Sequence, residues 1–241
     1  MRPIPLLTAA LVAALATGCG SANIAGHASP APSPTPTSNG VADLSATQIL
    51  ARAKDAFESA SAVHVKGSVV DGGQHIGVDV RIKNGSGGRG TLTIDGKTVE
   101  VLRVGATTYL RGDEAFWRAS TGNPEAGKLL KGKYLAFPTS NAAFKDLATF
   151  TDIKAMGAEF GTVTNPKKGS RKTVRGIDTI GLIDPSPDGG TLYVALQGKP
   201  YPMRTESARS GAIDYLDYNQ TVPLTKPPAD QVIDISKLGG G

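Results

Sequence analysis

The sequence predicts an α+β domain made of one long, strongly curved antiparallel sheet with helices covering its concave side. Three observations carry that expectation. An amphipathic helical segment follows Leu44, two stretches of alternating apolar and polar residues flank a central helical region, and glycine-rich turns punctuate both stretches. The order is helix, meander, helices, meander. No second linker and no repeat of fixed period divides it, so residues 44–238 read as one domain and 239–241 as a short tail.

The elements follow in order. Ser45 is placed to cap a helix that carries Ile49, Leu50, Ala53, Ala56, Phe57 and Ala60 at helical spacing. The period then changes to two: Val63, Val65 and Val69 alternate with His64, Lys66 and Ser68, and Ile76, Val78, Val80 and Ile82 alternate with Gly77, Asp79, Arg81 and Lys83. Each strand has one wet face, and Gly72-Gly73 joins them. Gly85 to Gly90 supplies the next turn. Leu92 and Ile94 run into Asp95-Gly96, a tight-hairpin signal whose return strand carries Val99 and Val101. Val104, Tyr109 and Leu110 extend the meander to Gly112-Asp113, which turns into Phe116-Trp117-Arg118. From Asn123 to Phe160 the spacing of Leu129, Leu130, Phe144, Leu147, Phe150, Ile153 and Met156 is helical, and Pro138 divides it into short helices. Strands return at 173–176, 178–183, 191–196, 202–206, 212–218 and 231–235, with turns at Gly189-Gly190 and Gly198-Lys199.

The N-terminus carries an address. Arg2 precedes an apolar run that ends in small residues, the pattern of a signal peptide over residues 1–18. Ala16-Thr17-Gly18-Cys19 resembles the bacterial lipobox, with Ala16 where leucine is usual. Cys19 is then the expected lipidation site and mature N-terminus, acylated with diacylglycerol and palmitate, because the thioether requires a thiol. Pro30, Pro32, Pro34 and Pro36 punctuate residues 19–43, which have almost no large apolar side chain and read as a disordered tether, His27 being a solvated part of it. The expected location is the extracytoplasmic face of the cell membrane, held by the lipid. A single cysteine among 241 residues excludes a disulfide scaffold and a cysteine-built zinc site. No apolar run beyond the N-terminus approaches the ~20 residues that span a bilayer.

Catalytic equipment is missing from the sequence, which predicts no enzyme and no cofactor. G-x-S-x-G, S-x-x-K and H-E-x-x-H are all absent. With only three histidines, a histidine-built metal site is not expected; His64 and His75 read as solvated strand residues on adjacent strands. Gly96-Lys97-Thr98 lacks the earlier glycine of a phosphate-binding loop, since Thr91 stands there. Asp214, Asp217 and Asn219 lack the glycine and glutamate of a calcium loop and read as strand surface. One charged feature survives. Lys167, Lys168, Arg171, Lys172 and Arg175 crowd a stretch around Gly169-Ser170, either as a solvated turn or as a contact to an anionic headgroup or membrane surface, consistent with the net charge of +5. Nucleic acid is not an expected partner, because aromatic residues do not interleave the basic ones.

A family resemblance rests on the lipobox and tether, on Ser61-Ala62-Val63-His64-Val65-Lys66-Gly67, and on the hairpin at Asp95-Gly96-Lys97. Tyr109-Leu110-Arg111-Gly112 before Phe116-Trp117, and the ending Pro227-Pro228-Ala229-Asp230, complete it. Over roughly Ser45 to Lys237 the chain resembles the actinobacterial LppX/LprAFG lipoproteins and, more distantly, LolA and LolB. The resemblance implies a half-barrel closed by helices, with an apolar cavity for the acyl chains of a lipid or lipoglycan, and carriage rather than catalysis by a monomer. Val63, Val65, Val78, Val80, Leu92, Ile94, Val99 and Val101 are the candidate ligand-binding residues, although the same alternation also makes a filled core. The alternative is a scaffold or interaction lipoprotein with a packed core and no ligand.

Overall fold

The computed structural model describes residues 37–141 and 149–235; residues 1–36, with Cys19 and most of the tether, Phe144, Leu147 and the 239–241 tail lie outside the described residues. Helix α1 (Ala46–Glu58) starts as expected. Ser45 Oγ accepts from the Gln48 amide, and the Gln48 side chain accepts from the Ser45 amide, so two otherwise orphaned donors are satisfied. Five strands then form a meander: β1 (Ala62–Asp71), β2 (Gln74–Lys83), β3 (Gly87–Ile94), β4 (Lys97–Val104) and β5 (Thr107–Gly112). Helices α2 (Glu114–Thr121) and α3 (Pro124–Leu130) lead to β6 (Tyr134–Pro138), and α4 (Ile153–Phe160) precedes β7 (Lys167–Val174). The second meander holds β8 (Ile177–Ile183), β9 (Thr191–Ala195), β10 (Pro202–Ser207) and β11 (Gly211–Leu216), and β12 (Val232–Asp234) ends the described chain.

Among the described residues all twelve strands belong to one open, curved sheet in the order β12-β6-β5-β4-β3-β2-β1-β11-β10-β9-β8-β7. The two meanders meet where β1 pairs with β11, Val65 opposite Tyr215. Period-two alternation sends Val63, Val65, Val78, Val80, Leu92, Val99 and Val101 to one side, here called the inner face. Helices α1 and α4 lie together on that face, with the Phe57 and Phe160 rings edge to face at 5.1 Å. Gly157 permits their approach: a Cβ there would come within 2.6 Å of Glu58. Helix α2 buries Phe116 and Trp117 in the same core beside β4 and β5.

Several expectations are corrected. Gly112 closes β5, and the turn expected at Gly112-Asp113 is a helix start: the Asp113 carboxylate accepts from the Phe116 amide and caps α2, which holds Phe116-Trp117-Arg118. The region from Asn123 to Phe160 is not helical throughout; Tyr134–Pro138 is a strand, tolerated with its proline at the end of the pairing with β5. The turn before β3 is shorter than Gly85–Gly90, since Gly87 to Gly90 are in the strand. Gly90 lies so close to β2 that a Cβ would stand 2.1 Å from the Asp79 carbonyl oxygen. The sheet is not purely antiparallel: β12 runs parallel to β6. To reach it from β11 the chain passes as a strap, residues 217–231, alongside the outer face of the first meander, where Thr225–Pro228 and Gln231 lie opposite Arg89, Thr91, Glu100 and Arg111.

Candidate functional site

An apolar cleft of about 260 Å³ opens on the inner face between α1, α4 and strands β8 to β11. Leu182, Leu192 and Tyr215 come from the sheet, Leu50 and Phe160 from the two helices, and Val163 and Pro166 from the segment after α4. These side chains point inward by the same alternation that builds the core. Glu159, Thr162 and Asp184 supply a polar rim. Thr205 and Tyr215 place the only paired hydroxyls among the lining residues, 3.2 Å apart, and burial pushes the Tyr215 phenol up to about 12, so it stays protonated throughout the physiological range. The cleft therefore offers apolar walls with one neutral polar pair, suited to a hydrocarbon chain beside an ester or hydroxyl.

The sequence-derived candidates lie elsewhere on the inner face. Val63, Val65, Val78, Val80, Leu92, Val99 and Val101 are buried in the main core, and Ile94 is half-buried near the end of β3. None of the eight borders this cleft. The residues that do border it come from strands read correctly as alternating, but alternation assigns a face and does not say where helices leave the face uncovered.

The basic stretch is a strand, not a turn. Lys167 to Val174 form β7 at the free edge of the sheet, with a register shift between Lys168 and Arg171. Charge and a bulge on an edge strand discourage another chain from pairing there, which explains the lysines structurally. Lys168 donates to the Ala42 carbonyl oxygen, Lys172 to Glu206, and Arg175 to Asp214. Lys167 and Arg171 keep no ion pair among the described residues.

The outer face of the second meander is tied by charge. Glu206 accepts from Lys172 at 2.8 Å, Tyr193 Oη at 2.8 Å and Arg204 at 2.9 Å. The Lys172 hydrogen bond is the largest cause that holds the Glu206 carboxyl at about 2. Burial alone would raise Asp214, but hydrogen bonds from Arg175 and Arg204 outweigh it and keep its carboxyl below the usual range. Asp214 is thus a buried ion-pair residue and not open strand surface. His64 is likewise not solvated: it is buried, with Nε2 2.7 Å from Asp79 and Nδ1 3.1 Å from Asp217, while His75 is exposed near the far end of β2. Among the described residues no group of three or more His, Cys, Asp or Glu is placed to hold a metal, and no helix is long and apolar enough to cross a membrane.

With this geometry in view, the chain is similar in fold to the lipoprotein LprF from Mycobacterium bovis, at a TM-score of 0.50 and 17% identity, over 76% of this chain and 96% of that one. Mycobacterium tuberculosis lipoprotein LppX aligns over 74% of this chain and 99% of its own, with 15% identity and a TM-score of 0.45. A LolA superfamily protein from Nitrosomonas europaea covers 78% of this chain and 96% of its own, at 12% identity and a TM-score of 0.27. No protein-family model matches the sequence. No curated protein matches it either.

Proposed function

We propose that this chain is a membrane-anchored envelope lipoprotein that takes the acyl chain of a lipid or other amphipathic ligand into the inner-face cleft and carries or presents it. The observation that carries this reading is the apolar cleft between α1, α4 and β8 to β11, set in a fold shared with a lipoprotein. Each methylene that leaves water for such a surface gains ~0.8 kcal/mol, so binding needs a dry groove and little else. At about 260 Å³ the cleft lies just under the ~300 Å³ at which ligand pockets begin, so it takes the end of a chain while the polar part emerges past Glu159, Thr162 and Asp184. Cys19 supplies the anchor at the extracytoplasmic face. Lys167 and Arg171 on the β7 edge add attraction to an anionic bilayer, at ~1 kcal/mol per basic residue near the surface. The reading includes no catalytic step.

Native mass spectrometry of the mature chain, released gently from membranes of its own producer, tests this. Lipid-sized adducts are expected, and they should be lost from a Leu192→Trp variant that fills the cleft. A clean protein mass in every preparation of the parent would support the scaffold reading, which the tight packing of Val63 to Val101 favours.

A further inference from the structure

A recess roomier than the apolar cleft lies on the other face of the sheet. Between the outer face of β3 to β6 and the strap lies a groove of about 500 Å³ with polar walls. The strap that forms its far wall is fixed at both ends. At its start Asp217 holds His64 at 3.1 Å, and Val222 is buried midway. Near its end Lys133 Nζ donates to the Asp230 carbonyl oxygen at 2.9 Å, and β12 pairs with β6. The groove therefore exists before any ligand arrives, which lowers the ordering cost of binding.

Its charge is one-sided. Glu100 is the one carboxylate that lines it, and that group is already satisfied: Arg111 donates to both of its oxygens at 2.6 to 3.1 Å, and Tyr134 Oη donates at 3.2 Å. Arg111 also lies 4.7 Å over the Tyr134 ring, so its charge is already balanced by Glu100 and one face of its guanidinium is covered. Arg89 from β3 and Lys226 from the strap remain. Both line the groove, both are exposed, and neither has an ion pair among the described residues. Thr91, Thr225 and Gln231 add neutral hydrogen-bonding groups between them. A guanidinium on one wall and an ammonium on the other suit an oxyanion with several acceptor oxygens. The volume exceeds the needs of a bare ion, leaving room for a polar substituent.

We propose that this groove is a second binding site, for a phosphate monoester or diester carrying a sugar-like polar group, with Arg89 and Lys226 as the phosphate ligands. It lies on the opposite face of the sheet from the cleft, so a single short lipid does not fill both, and the proposal stands apart from acyl binding. The phosphate has two possible sources, a soluble sugar phosphate or the headgroup of a membrane lipid, and the test separates them.

The mature chain is titrated by calorimetry with inorganic phosphate and with glucose 1-phosphate, and by sedimentation with phosphatidylcholine vesicles with and without phosphatidylinositol. Glucose 1-phosphate should bind more tightly than inorganic phosphate, or phosphatidylinositol vesicles more than plain ones; the first result assigns a soluble ligand and the second a headgroup. The double variant Arg89→Gln, Lys226→Gln should weaken that binding roughly tenfold or more, because two charge-assisted contacts are lost. Thermal unfolding should not change, since both side chains are exposed. Lys199→Gln, in the distant turn before β10, should bind as the parent does. No binding to any phosphate probe, equal binding by the double variant, or an equal loss in Lys199→Gln overturns the proposal.

Discussion

Across β1 to β5 the inner face is closed by Phe116, Trp117, Leu110 and Ile153, while the outer face carries a groove under the strap; across β8 to β11 the inner face holds the cleft, while the outer face is locked by Lys172, Tyr193, Arg204, Glu206, Arg175 and Asp214. The same strand period builds both halves. What differs is the cover: α2 sits against β4 and β5, whereas α1 and α4 pair through Gly157 and leave part of the second meander bare. Ion pairs tie strands on the outer face of both halves, Glu100 to Arg111 in the first and Glu206 to Lys172 in the second, so the halves differ in how completely helices cover the inner face.

Four measurements break or sharpen that contrast. The largest effect is expected at Trp117, which is fully buried: Trp117→Ala should lose ~3–5 kcal/mol in urea unfolding, and a loss below ~1 kcal/mol would show that the first half is not the packed one. Next come two enlargements compared directly. Val80→Trp overpacks a filled core and should cost ~1–3 kcal/mol with lipid adducts unchanged, whereas Leu192→Trp grows into open space, costs less, and removes the adducts. Equal stability losses at the two sites would erase the distinction between core and cleft.

A smaller effect tests the ionic lock. Glu206 sits at about 2 in the folded chain against 4.5 for the free group, so its contribution is fully present above pH ~4.5 and disappears as pH falls towards 2. Discounted for solvent screening, that contribution is on the order of 1 kcal/mol. Urea unfolding at pH 6 and pH 3 should therefore show a weaker pH dependence in Glu206→Gln than in the parent; identical slopes would remove Glu206 from the lock. The smallest effect belongs to the edge strand. Replacing Lys167 and Arg171 by Gln should leave stability within about ±0.5 kcal/mol and reduce binding to anionic vesicles modestly, because neither side chain has an ion pair among the described residues. Vesicle binding that does not fall with salt in the parent would end the membrane role of this strand.

The elements that were legible from sequence are those with local causes. The Ser45 cap, the Gly72-Gly73 and Asp95-Gly96 hairpins and the alternation of β1, β2, β8 and β9 are each written within a few residues. The misread ones depend on partners far away. Tyr134–Pro138 is a strand because β5 and β12 lie on either side of it, and Lys167–Val174 is a strand because β8 offers an edge. Asp214 and His64 look like surface residues until Arg175, Arg204, Asp79 and Asp217 are brought to them. The candidate site was legible only as a face: Leu182 and Leu192 alternate visibly, but their position beside a gap between helices is a tertiary fact.

The seam between β1 and β11 has a consequence for how the molecule assembles. Strands β1 to β5 are joined by short turns and can zip together as soon as they exist, whereas the other side of β1 must wait for Gly211–Leu216, near the end of the chain. Contacts of such long sequence separation form slowly. Until they do, His64, Lys66 and Ser68 present open backbone groups along an edge that any extended peptide can occupy. The strand at the centre of the finished sheet is thus an open border of the half-finished one until β11 arrives.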